Sequence, residues 1–106
     1  WKLKSRSPAI PGTDDSTIYN ETKMIGGGHF IWLNNVRFQN EKSQNFGFGS
    51  FSVDESGTAV ETAMVSSMSD YESSVNEIKI ELIDYNTLQQ THVEGKTSIT
   101  QIYERM

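Results

Sequence analysis

The feature that most constrains this chain is a hydrophobic period of two, broken at short intervals by turn residues. In "NEIKIELID", Ile78 and Ile80 alternate with Glu77, Lys79 and Glu81. In "TSITQIYERM", Ile99 and Tyr103 share one parity and Ile102 falls off it. In "SQNFGFGSFSV", Phe46 and Phe48 oppose Gly47, Gly49, Phe51 and Val53. Successive side chains of a strand point to opposite faces of its sheet, so these segments predict half-buried strands. Turn signals separate them. "SPAIPGTDDS" (7–16) carries both prolines and reads as an irregular loop, because each proline removes a backbone donor. "QNEKSQ" (39–44), "DESG" (54–57), "DYNT" (84–87) and "EGKT" (94–97) read as hairpin loops, and "SDYESS" (69–74) has the composition for one helical turn.

The pattern predicts about eight strands, at 1–6, 16–25, 28–38, 43–53, 58–67, 75–83, 87–94 and 97–105. Short links between successive strands predict an antiparallel meander. Eight such strands close most naturally into an up-and-down β-barrel, because closure removes exposed edges. A barrel of that size is filled by side chains or holds one small ligand. An open sheet or sandwich of the same strands is the alternative. At 106 residues, the chain is expected to form one domain, 1–106, with no internal repeat or linker.

Composition removes several functions. The net charge is -5, and the only basic cluster is Lys2, Lys4 and Arg6, so binding to nucleic acid is not expected. There is no cysteine, which excludes disulfides, thiolate zinc sites and thiol nucleophiles together. No apolar run approaches the ~18 residues of a helical membrane span, so a membrane-spanning chain is not expected. The two histidines, His29 and His92, stand far apart without "H-x-H" or "HExxH" spacing, and neither a metal nor a cofactor is expected.

The stretch "KMIGGGHFIWLNN" (23–35) sets Gly26, Gly27 and Gly28 before His29 and an apolar run. A phosphate loop would need a helix and a lysine after the glycines, and a strand-like segment follows instead. The glycines are therefore read as a bend, bulge or close strand contact at the barrel rim. Phe30 and Trp32 lie on one parity, Ile31 and Leu33 on the other, and all four are apolar. Phe30 and Trp32 are expected inward, since a large aromatic either fills a small barrel or lines its cavity. His29 would then point outward or to the rim, bonded to a backbone carbonyl. His92, near a hairpin end, is expected to be an exposed strand residue. Glu61 shares a parity with Ala59, Ala63 and Val65. Facing inward, it would orient a ligand or take a structural ion pair; the opposite facing would put Val60, Thr62 and Met64 inside.

Taken together, four stretches resemble the short lipocalin-like proteins of bacteria, in the calycin group. "WKLKSR" is similar to the tryptophan-bearing first strand, "KMIGGGHFIWLNN" to an "HF-x-W" strand, "FGFGSFSVDESGTAVET" to the glycine-rich strand, hairpin and Thr/Glu-bearing strand, and "QIYERM" to the closing strand. The chain departs from that pattern at Ala59, where an aromatic is usual. The resemblance implies an up-and-down barrel with one open mouth and a small, mainly apolar ligand. It also implies that Trp1 closes the barrel bottom with Arg105 packed over it. Export is expected: a secreted, periplasmic or cell-envelope protein, its signal peptide removed.

On these grounds the expected function is binding of a small apolar molecule in the barrel interior. Phe30, Trp32 and Phe48 would form apolar wall, with Glu61, Tyr103 and His29 as the polar contacts. The alternative is a filled barrel serving as an interaction or structural module. Acid–base catalysis has one candidate pair, His29 with Glu61, and requires the two to converge in one cleft.

Overall fold

The computed structural model describes residues 1–8, 18–38, 41–68 and 73–106, with backbone alone at Ile18 and Phe38. Most of the proline-bearing loop, the tip of the 39–44 loop and most of the helical turn expected at 69–74 lie outside the described residues. Eight strands run β1 (Lys2–Ser7), β2 (Ile18–Gly26), β3 (His29–Phe38), β4 (Glu41–Val53), β5 (Thr58–Ser66), β6 (Val75–Asp84), β7 (Thr87–Glu94) and β8 (Thr97–Glu104). They form a closed antiparallel up-and-down barrel in sequence order, with β8 returning to β1. Strand β4 begins at Glu41, two residues before the expected start, because Glu41 and Lys42 continue the ladder opposite Phe38 and Arg37.

The glycine triplet makes a hairpin turn. Gly26 pairs with His29, and the two residues between them, Gly27 and Gly28, take φ of 60° and 79°. A two-residue turn with both φ positive matches the right-handed twist of its strands and strongly favours glycine. Gly47 and Gly49 act differently: both face inward on β4. A Cβ on Gly47 would overlap the Trp32 indole, and one on Gly49 would overlap the Thr62 carbonyl. The first glycine makes room for an aromatic ring. The second lets β4 and β5 approach where their register shifts between Phe48 and Gly49.

The ladders are uneven around the wall. Strand β1 is held to β8 by five register pairs, from Lys2 opposite Glu104 to Ser7 opposite Thr100. Among the described residues it meets β2 at one pair, Lys2 opposite Thr22, supplemented by the Lys23 amide donating to the Trp1 carbonyl at 2.8 Å and the Trp1 ammonium donating to the Lys23 carbonyl at 2.9 Å. Arg105 packs over Trp1 at one end of the barrel. The Arg105 guanidinium lies 4.4 Å from the Trp1 ring and 4.3 Å from the Tyr85 ring, and its Nε donates to the Tyr85 carbonyl at 2.7 Å. Such a sandwich contributes roughly 0.5–2 kcal/mol.

The core is the barrel interior. Phe30, Trp32, Ala59, Ala63, Ile78, Leu88, Ile99 and Tyr103 are buried, Phe30 and Tyr103 almost completely. Phe30 and Trp32 thus face inward. So does Glu61, between Ala59 and Ala63; Val65, beyond the register shift, is exposed. The outer face of β2–β5 is apolar as well. Met24, Leu33, Phe46, Phe48 and Val65 are exposed, and register pairs link Leu33 with Phe46 and Phe48 with Val65. Among the described residues, no helix is long and apolar enough to cross a membrane.

Candidate functional site

A pocket of about 870 Å³ extends from the barrel interior out to exposed rim residues that include Met68, Val75 and Val93. Its lining includes Trp32, Ile78 and Val36 as apolar wall and Glu21, Lys23, Glu61, Gln90, Gln101 and Tyr103 as polar wall. Among the described residues, six buried polar or charged ones, Glu21, Lys23, Asn34, Glu61, Gln90 and Gln101, depart from the apolar lining expected. Burying charges is costly unless each finds a partner, so their partners determine what the cavity can do.

One group of partners centres on Lys23. Its ammonium pairs with Glu61, and the two side chains are 3% and 5% exposed. It also donates to Gln90 Oε1 at 2.7 Å and lies 5.7 Å from the Phe30 ring centre. Gln90 Nε2 then donates to Gln101 Oε1 at 3.1 Å. Glu61 is therefore one half of a buried ion pair, the structural role weighed for it from the sequence.

A second group centres on Glu21. Tyr19 donates to its Oε1 at 2.8 Å, and Tyr103 donates to its Oε2. Asn34 Nδ2 donates to the Tyr19 hydroxyl at 3.3 Å, and Asn45 Nδ2 to Asn34 Oδ1 at 3.0 Å. Burial and then the adjacent Glu21 charge push both phenols well above the ordinary tyrosine value. Each phenol therefore stays neutral and remains a donor. Tyr103, expected as a polar contact to a ligand, lines the cavity, and its hydroxyl is committed to Glu21.

The remaining expected site residues lie elsewhere. Phe48 is on the outer wall because the inward parity of β4 belongs to Gly47 and Gly49. His29 is exposed beside it, the two rings stacked with centres 5.6 Å apart and planes 5° apart. His29 Nδ1 sits 3.0 Å from the Gly27 carbonyl, the backbone bond anticipated for a rim histidine. With His29 outside and Glu61 inside, the one acid–base pair considered does not form. His92 requires a correction in the other direction. It lines the cavity with its side chain 19% exposed, since it shares the inward parity of Leu88 and Gln90 on β7. Its Nε2 lies 3.3 Å from Glu94 Oε1, and its Nδ1 is buried without a hydrogen-bond partner.

Sequence reasoning missed Glu21, Lys23, Gln90 and Gln101. "YNETKM" is polar on both parities, which conceals the inward set. A usable signal lay in β8, where Gln101 sits between Ile99 and Tyr103 on an otherwise apolar parity. Among the described residues, no three histidine, aspartate or glutamate side chains converge in a way that could hold a metal ion. No protein-family model matches the chain, and no curated protein matches it significantly.

Proposed function

We propose that the barrel binds a small molecule in its interior, with an apolar body against Trp32 and Ile78 and at least one polar end. The observation that carries this reading is the pocket of about 870 Å³ that opens from the interior of the closed strand barrel. Its size falls in the range of small-molecule sites, which combine apolar walls with a few placed polar groups. Desolvating the apolar body drives binding, and the polar groups select the ligand. The resemblance to lipocalin-like proteins points the same way. The mainly apolar cargo expected from that resemblance gains a polar end, because a wholly apolar ligand would leave Glu21 and the Lys23–Glu61 pair without water.

The alternative, an interaction module that needs no ligand, draws support from the apolar outer face of β2–β5. One titration separates the two. N-phenyl-1-naphthylamine, a neutral fluorophore that brightens in apolar surroundings, is added to the wild type, to Val36→Trp and to Phe46→Ser/Phe48→Ser. Interior binding gives one saturable site, weakened about tenfold or more by the bulk added at Val36 and unchanged by the outer substitutions. A signal lost in the outer variant and kept in Val36→Trp would transfer the function to the outer face.

A further inference from the structure

We propose that the polar end of the ligand is an organic cation, an amine carried on an aromatic body; the inference rests on reading the interior as the binding site. Charge accounting inside the wall is the first argument. Among the described residues, the carboxylates and bases that line the cavity and are more than nine-tenths buried are Glu21, Lys23 and Glu61, two acids against one base. The base is fully engaged by Glu61, Gln90 and the Phe30 ring. Among the described residues, the hydrogen-bond partners of Glu21 are the two phenols, and neither is a cation.

The chemistry of those partners is the second argument. An ionised carboxylate offers about four acceptor positions, and two phenols occupy two of them. The phenols orient the carboxylate and leave its charge in place. A ligand ammonium placed there would supply the missing countercharge and donate to the remaining lone pairs. The third argument is the aromatic surroundings. Tyr19, Trp32 and Tyr103 line the same cavity as Glu21. The faces of such rings attract cations, and more strongly where water is excluded. Arg6 also lines the cavity, at the end of β1, but its Nη1 donates to the Pro8 carbonyl at 2.7 Å and its side chain is only half-buried. A carboxylate ligand would meet Glu21 and Glu61 with the Lys23 charge already taken. A neutral ligand would leave Glu21 uncompensated.

The test uses three ligands with one indole body: tryptamine, the neutral indole-3-ethanol and the anionic indole-3-propionate. Each is titrated calorimetrically into the wild type and Glu21→Gln near neutral pH. The expected order in the wild type is amine, then alcohol, then acid, with the amine at least about tenfold tighter than the alcohol. In Glu21→Gln the advantage of the amine over the alcohol is lost. An alcohol as tight as the amine, a tighter acid, or an amine advantage that survives Glu21→Gln overturns the inference and leaves interior binding standing. If Glu21→Gln does not fold, the wild-type order decides. Should none of the three bind, the inference falls. The neutral fluorophore then separates the two claims: binding inside the barrel keeps the cavity reading, and no binding removes both.

Discussion

At the residue scale, the energetics of the cavity are set by Lys23 and Glu61. Each is almost fully buried, and each is tolerable only because the other is present. Lys23→Met leaves a lone carboxylate in the wall and is expected to cost about 3–5 kcal/mol, read as a lowered urea midpoint at unchanged slope. The double variant Lys23→Met/Glu61→Leu removes both charges and is expected to recover most of that loss. If the single variant matches the wild type in stability, the ion pair is not the buried contact described. Sequence patterning does not reveal such a pair, because Lys23 stands among Glu21, Thr22 and Met24 and alternation there does not separate a solvated face from a paired interior. Phe48 is the converse case. An exposed phenylalanine reads as core until its glycine neighbours are seen to hold the inner positions.

At the element scale, the β4–β5 hairpin is organised by one carboxylate. Asp54 Oδ1 accepts from the Ser56 amide at 2.8 Å, the Ser56 hydroxyl at 2.6 Å and the Thr58 amide at 3.1 Å. These bonds favour the charged form and hold the Asp54 carboxyl below its ordinary 3.8, the Ser56 hydroxyl contributing most. A depressed folded-state value means that the contribution is present above 3.8 and is lost as pH falls through the lower folded value. The stability difference between wild type and Asp54→Ala should therefore be flat at neutral pH and shrink in acid, as followed by thermal melts across pH. A difference that grows in acid would contradict this. The strands were legible in the sequence because alternation and turn chemistry agree: β7 falls at its expected bounds, and most other ends fall within a residue or two. Facing was legible only where the two parities differ in character, as in β6 and β8. In β3 both parities are apolar, because one covers the cavity and the other belongs to the apolar outer wall.

At the scale of the whole molecule, a chain of side chains runs around the inner wall from Asn45 on β4 through Asn34, Tyr19 and Glu21 to Tyr103 on β8. It ties β2 to β8 past β1, where the backbone ladder is thinnest. The chain needs its phenols protonated. Both are raised above the ordinary 10.0, so folding holds their protons while the unfolded chain releases them near that value. Stability is thus retained below pH 10 and falls as pH rises beyond it. Phenolate absorbance from Tyr19 and Tyr103 should appear together with loss of the β circular-dichroism signal in an alkaline titration, and Tyr103→Phe should blunt that alkaline loss. Normal titration of both phenols in a barrel that remains folded would contradict the network.

The single register pair between β1 and β2 among the described residues also bears on how evenly the wall is held. A wall with one thin join and seven fuller ones does not breathe evenly. Strand β1 is laddered to β8 along its length but is held to β2 at its Trp1 end, where Trp1 and Lys23 exchange backbone hydrogen bonds, and the bond from Tyr103 to Glu21 joins β8 directly to β2 on the inner side.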